Sequence, residues 1–434
     1  MPGSPPSSIA DPVRIMRRVF WRLIPLLFIL YVCAYLDRVN LSFAALSMRR
    51  DLGFSDRVYG AGAGLFFISY ALFEIPANLV LLRLGPRRWM AIIMIAWGII
   101  STAMALIHTP FGFYLLRFLL GVAEAGFFPG IILCLTRWFP VAHRARAFAM
   151  FITAAPAAGI IGAPLSTLLL HLDGIAHLDG WKWLFIGEGL PSIVLGIATF
   201  FFLTDSPEQA HWLLPSEREW LVAEVSGQAH HAHATHLGHA FRSLAVWLLA
   251  AIYFAMSVAF YALTLWLPIL VKNLTRAGDL SVIALTTVPY ALAAICMLLV
   301  ARSSDLTSER KWHLTISLIV AAIAFIASAA LVAPILSLIA IFLATGFVWG
   351  TVAPFWTFPA FLLRGTAAAG GIAFINSVGA VGGFTGPYIM GLASYLTHSF
   401  RAALFVTGAL LILAAVIASR LKAPPRLPAP GRAS

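Results

Sequence analysis

The sequence predicts an all-α membrane protein whose twelve transmembrane helices form two pseudo-symmetric six-helix bundles. Hydrophobic residues make up 61% of the 434 positions and charged residues only 11%. The mean hydropathy of +0.92 is too high for a soluble domain whose surface must be wetted. Twelve apolar runs also reach the length of a bilayer crossing, about 20 residues. The basic residues behind the net charge of +12 sit almost entirely between those runs.

The first run, 20–46, follows a polar start and Arg14, Arg17, Arg18 and Arg22. It is longer than the apolar core of a signal peptide and lacks a cleavage site, so it is expected to be retained. Runs 57–82 and 89–107 flank the basic turn "RLGPRRW", run 110–139 carries Arg117 and Glu124, run 147–171 contains "GIIGAP", and run 182–203 closes the first half. The second half repeats this plan with runs 241–271, 280–301, 312–331, 334–362, 367–395 and 400–420. Its basic turn is "RSSDLTSERKW", and "GGFTGP" in its fifth run answers "GIIGAP". The expected organisation is therefore an N-terminal segment 1–19, a bundle 20–203, a polar connection 204–240, a second bundle 241–420 and a tail 421–434. Two parallel halves around a central site are the plan of an alternating-access carrier, and the small-residue runs also suit close helix packing.

Of the 29 Lys and Arg residues, 20 fall on the side that carries both termini and 7 on the other, with Arg38 and Arg117 inside helices. That bias predicts cytoplasmic termini. The positive charge is topology, and nucleic acid is not an expected partner. Cys33, Cys134 and Cys296 lie inside apolar runs and are read as packing residues rather than a disulfide or zinc framework. His230, His231, His233, His236 and His239 have no acidic or cysteine partner nearby in sequence, so the connection reads as a linker rather than a metal site. No metal or cofactor is expected, and the chain is expected to act as a monomer.

Ionisable side chains at membrane depth are costly and usually face a bundle interior or an aqueous cavity. Asp37 and Arg38 on the first helix and Arg117 and Glu124 on the fourth stand out. Counting helical rise from the inner ends places Asp37 and Glu124 at similar depth, and Arg117 and Glu124, seven residues apart, share one face. Arginine keeps its charge and offers a planar fork that matches a carboxylate. A carboxylate in low dielectric has its ionised form destabilised unless an arginine opposes the effect. The expected division of labour makes Arg38 the anchor for a substrate carboxylate and Asp37 and Glu124 the carriers of co-transported protons. Arg117 balances Glu124 and contacts substrate. The alternative is that the four residues form buried salt bridges that only fix packing. Glu74 and Glu188, also at membrane depth, are read as structural or gating residues outside the site.

The motifs "YLDRVNLSFA", "EIPANLVLLRLGPRRW", "RFLLGVAEAGFFPGIILCLTRWFP" and "GGIAFINSVGAVGGFTGPYIMGL" together resemble the major facilitator superfamily. Within it they resemble the anion:cation symporter branch of tartrate, galactonate, aromatic-acid and sialin-type carriers, with the tartrate-permease-like members most similar. The resemblance covers nearly the whole chain. It implies the fold of that superfamily, proton-coupled uptake of a small carboxylate across a bacterial inner membrane, and a cavity lined by Tyr35, Tyr70, Trp356 and Asn376. Phenol and amide groups bond carboxylate or hydroxyl oxygens, and an indole supplies a flat wall. Two positions depart from the family pattern: Leu82 stands where the turn after helix two commonly has Asp, and Ala155 where sugar-acid carriers have Gln. The second favours a smaller or less hydroxylated acid.

Neither a P-loop, nor H-E-x-x-H, nor G-x-S-x-G is present, which argues against an ATP-driven pump or a membrane enzyme. Two other functions stay open, proton-antiport export of drugs and a sensor that binds a solute without moving it. A cation exporter calls for a negative cavity, whereas two arginines here face two carboxylates.

Overall fold

The computed structural model describes residues 11–226, 243–362 and 366–422. The His-rich stretch 230–239, Arg364 and most of the two terminal segments lie outside the described residues. Among the described residues the regular structure is helical, without strands. Eleven helices among the described residues are long and apolar enough to cross a bilayer. One of them, Asp56–Leu106, has 51 residues, about 76 Å of helix against a hydrocarbon core of about 30 Å. It is two crossings joined at Gly85, whose φ of +78° is open to a residue without a Cβ. The crossings therefore number twelve.

In order they are Pro12–Asp51, the two within Asp56–Ala103, Pro110–Glu124 with Phe127–Trp138, and Val141–Ile152 with Ala154–Leu170. Gly180–Phe202 completes the first half. Then come Leu244–Thr275, Asp279–Leu285 with Thr287–Thr307, Lys311–Ala330, Pro334–Gly350 with Val352–Leu362, Thr366–Thr397 and Arg401–Arg420. The fourth, fifth, eighth and tenth crossings, continuous in the hydrophobic pattern, are each broken in two. The cause is a proline three residues past each break, at 129, 156, 289 and 354. It has no N–H for the carbonyl just before the break. At three of the four breaks a threonine hydroxyl bonds the carbonyl three residues back: Thr153 to Met150 at 2.6 Å, Thr286 to Ile283 at 2.5 Å and Thr351 to Val348 at 2.6 Å. Each carbonyl so bonded lies two residues before the one the proline leaves free, so the hydroxyls tie down the last turn before the break rather than replace the missing N–H.

At the Gly85 turn Leu82 offers no acid, and Asp205 from the end of the sixth crossing supplies one. The Arg87 backbone N–H donates to Asp205 Oδ1 at 2.8 Å, and a Cβ on Gly85 would fall 2.6 Å from that same oxygen. Nearby, the short helix Pro215–Ser226 docks on the start of the first crossing through Arg18 and Glu217, 3.2 Å apart. A belt of exposed apolar side chains, including Leu72, Ile99, Val194, Phe201, Leu299, Ile323 and Leu413, is stable only against lipid.

At the face opposite the chain termini the two halves are tightly joined. Tyr59 Oη donates to the Leu265 carbonyl at 2.6 Å. Asp56 pairs with Arg49 and accepts from Ser394 of the second half. Arg50 reaches Asp279 at 3.5 Å, and Lys272 reaches it at 2.7 Å. Gly60 and Gly391 let the second and eleventh crossings touch through backbone, since a Cβ on Gly391 would lie 2.4 Å from the Asp56 carbonyl and 3.1 Å from Gly60 Cα. Neither neighbour can swing aside. Gly391→Leu is therefore expected to hold this face apart and cut transport at least about tenfold, because small residues are what permit such close approach. Faster labelling of a Ser394→Cys reporter by an impermeant maleimide checks it.

Candidate functional site

The first crossing sends Asp37 and Arg38 in different directions, because consecutive residues on a helix diverge by about 100°. Arg38 points to the joint between the halves. Its guanidinium pairs with Glu124, which ends the first part of the broken fourth crossing and is 3% exposed. The guanidinium also lies 5.6 Å from the Phe66 ring centroid and 5.9 Å from that of Tyr70. Tyr261, from the seventh crossing in the second half, packs its ring 4.1 Å from that of Phe67, next to Phe66 in the chain. Arg38 Nε is a buried donor without a partner among the described residues. The break after Glu124 is held by Trp89, whose Nε1 donates to the Gly126 carbonyl at 3.2 Å. Broken helices of this kind supply backbone and side-chain groups to a mid-membrane site.

Asp37 turns instead into the first half. Four donors surround it: Trp97 Nε1 at 2.6 Å, Ser101 Oγ at 2.6 Å, Ser192 Oγ at 2.8 Å and Asn40 Nδ2 at 3.3 Å. The expected competition between Asp37 and a neighbouring arginine is thus corrected, since neutral donors from the first, third and sixth crossings hold this carboxyl. Trp97→Phe removes one of them and is expected to lower stability by about 1.5–3 kcal/mol, read as a lower melting temperature of the purified protein.

Arg117 is also placed differently from expectation. It is 1% exposed and donates to the carbonyls of Gly62 at 3.3 Å and Ala63 at 3.2 Å, with Phe66 5.0 Å away. It bonds the backbone of the second crossing rather than Glu124 and does not open onto the joint. It packs against the second crossing, and its charge lies behind the same phenyl ring as Arg38.

Tyr35 and Tyr70 do flank the joint. Tyr35 Oη is buried without a partner among the described residues, with its ring 6.3 Å from Trp349 of the tenth crossing. Asn376 Nδ2 donates across the joint to Glu74 Oε1 at 3.0 Å, and Glu74 Oε2 is left without a partner among the described residues. Trp356 packs on Tyr253 at 5.1 Å, in an aromatic wall on the second half. Sequence reasoning missed Tyr261, for which no motif signals, and set aside Glu74 and Glu188, for which burial of an acid was the available signal. No group of three His, Cys, Asp or Glu side chains able to hold a metal occurs among the described residues.

Two helical halves that enclose an arginine–carboxylate pair at their joint invite comparison with known carriers. The model of the Major Facilitator Superfamily matches residues 27–387. The chain belongs to the major facilitator superfamily. As a member it is a multi-pass membrane transporter rather than an enzyme, and it needs no cofactor. A protein of Agrobacterium vitis described as a putative tartrate transporter is 43% identical over 408 residues, covering 93% of this chain and 90% of the relative. A quinolone resistance transporter of Acinetobacter baumannii is 42% identical, with 93% and 94% covered. The fold matches the inward-facing, unoccupied crystal structure of a bacterial homologue of the human lysosomal transporter Spinster. The TM-score is 0.75 at 17% identity, over 95% of this chain and 98% of that one.

Proposed function

We propose that this superfamily member takes up a small organic anion, a tartrate-like carboxylate, together with protons by alternating access. The observation that carries the reading is the buried Arg38–Glu124 pair at the joint, with Tyr261 of the second half packed on Phe67 beside it. A guanidinium binds one carboxylate face at a time in bidentate fashion, so a substrate carboxylate and an ionised Glu124 compete for Arg38. Protonation of Glu124 frees the fork, and substrate then occupies it as the two halves rock. Asp37, in its cage of switchable hydroxyls, is the second proton carrier. Tyr35, Tyr70, Trp356 and Asn376 line the path, with Arg117 adding positive potential from behind Phe66. The 43% identity to a putative tartrate transporter supports the substrate class. The charge bias supports cytoplasmic termini in a bacterial inner membrane, with residues 204–240 joining the two halves.

One observation favours a second reading, export of drugs by proton antiport: the 42% identity to a quinolone resistance transporter. A quinolone also carries a carboxylate, so both readings use Arg38 and differ in direction and substrate size. Binding separates them. Thermal stabilisation of the purified protein across mono- and dicarboxylates, quinolones and cationic dyes is expected to appear with small hydroxy-dicarboxylates. Stabilisation by quinolones or dyes alone favours export.

A further inference from the structure

Glu188 on the sixth crossing is 4% exposed and has no part in the scheme above. Its Oε1 accepts from Ser166 Oγ at 3.0 Å, and its Oε2 has no partner among the described residues. Ser192, four residues further along the same crossing, donates to Asp37 Oδ2 at 2.8 Å, and Asn40 donates to Asp37 Oδ1 at 3.3 Å. Residues four apart share a helical face, so Glu188 lies about one turn from the Asp37 cage and the two buried acids are neighbours. The groups facing the pair are Cys33 and Asn40 from the first crossing, Trp97 and Ser101 from the third, Ser166 from the fifth and Ser192 from the sixth. The other ionisable group acting on the pair is Glu124, already held by Arg38. No cation contacts either carboxyl among the described residues.

The charges do not balance if every acid is ionised. Asp37, Glu124 and Glu188 stand against Arg38 and Arg117 in the interior of this half, and an unpaired charge there is far costlier than a neutral group. Asp37 has four donors for its two oxygens and suits the ionised form. Glu188 leaves an oxygen bare, and a hydroxyl in that position is cheaper than an anion. We propose that Glu188 carries a proton and that Glu188 and Asp37, a turn apart past Ser192, form one proton-sharing unit, a third acid beside the Arg38–Glu124 pair. Protonation of Asp37 removes the neighbouring charge that holds the proton on Glu188, so one proton can pass between the two sites. Only the link to transport rests on the proton-coupled reading above; the proton itself does not.

Infrared difference spectroscopy on the purified full-length protein at neutral pH tests this without any substrate. The wild-type minus Glu188→Gln spectrum is expected to contain a protonated-carboxyl C=O band, and a difference made only of carboxylate bands overturns the assignment. In Asp37→Asn the Glu188 band is expected to weaken at the same pH, whereas an unchanged band overturns the sharing. Should Glu188→Gln not fold, Glu188→Asp is expected to displace the band, and a spectrum superimposable on wild type overturns the proposal. The proton-coupled reading fails by a different result, namely transport indifferent to a pH gradient while the band is present.

Discussion

Arg38→Ala is expected to weaken binding of the transported carboxylate at least about 30-fold. Truncating one member of a buried, hydrogen-bonded charge pair at an interface typically costs about 2–5 kcal/mol, and each 1.4 kcal/mol is about a factor of ten. Nothing nearby replaces the fork, because Arg117 is committed to the Gly62 and Ala63 carbonyls on the far side of Phe66. Arg38→Lys keeps a charge but loses the planar geometry, and is expected to recover only part of the affinity. Calorimetric titration of the folded variants checks both. Unchanged affinity in Arg38→Ala removes the proposed anchor.

Glu124→Gln is expected to abolish accumulation driven by a pH gradient while leaving substrate exchange within a few-fold of wild type. The amide still offers Arg38 an acceptor oxygen but neither takes up nor releases a proton. Binding persists because the neutral side chain no longer competes as an anion for the guanidinium. Counterflow and gradient-driven uptake, measured on the same proteoliposomes, separate the two outcomes. Equal loss of both assigns Glu124 a structural role, as a fixed partner of Arg38.

The architecture was legible because hydropathy and the lysine and arginine bias are summed over many residues. Twelve crossings follow from run length alone, and the joined second and third differ only in how the Gly85 turn is drawn. The four helix breaks were written in the sequence as prolines 129, 156, 289 and 354 inside apolar runs. Run length gave no reason to weigh them. The site was legible in its residue types and less so in its pairings. Asp37 and Arg38 are adjacent in the chain, yet adjacency on a helix sends side chains about 100° apart, so the acid joins Trp97, Ser101 and Ser192 while the base joins Glu124. The shared helical face of Arg117 and Glu124 is equally uninformative, because a long guanidinium finds the nearest free carbonyls and two residues two turns apart need not meet. Tyr261 reaches Phe67 only through the docking of one half on the other, which no local pattern encodes.

The central claim is that proton and carboxylate compete for the Arg38–Glu124 pair and therefore move together. The most direct test is uptake of a labelled hydroxy-dicarboxylate into proteoliposomes, with the pH gradient imposed in either direction at zero membrane potential. Accumulation inside when the outside is acidic, with reversal to efflux when the gradient is inverted, is the predicted result. Uptake indifferent to both gradients, or movement of the solute against the proton flow, contradicts it.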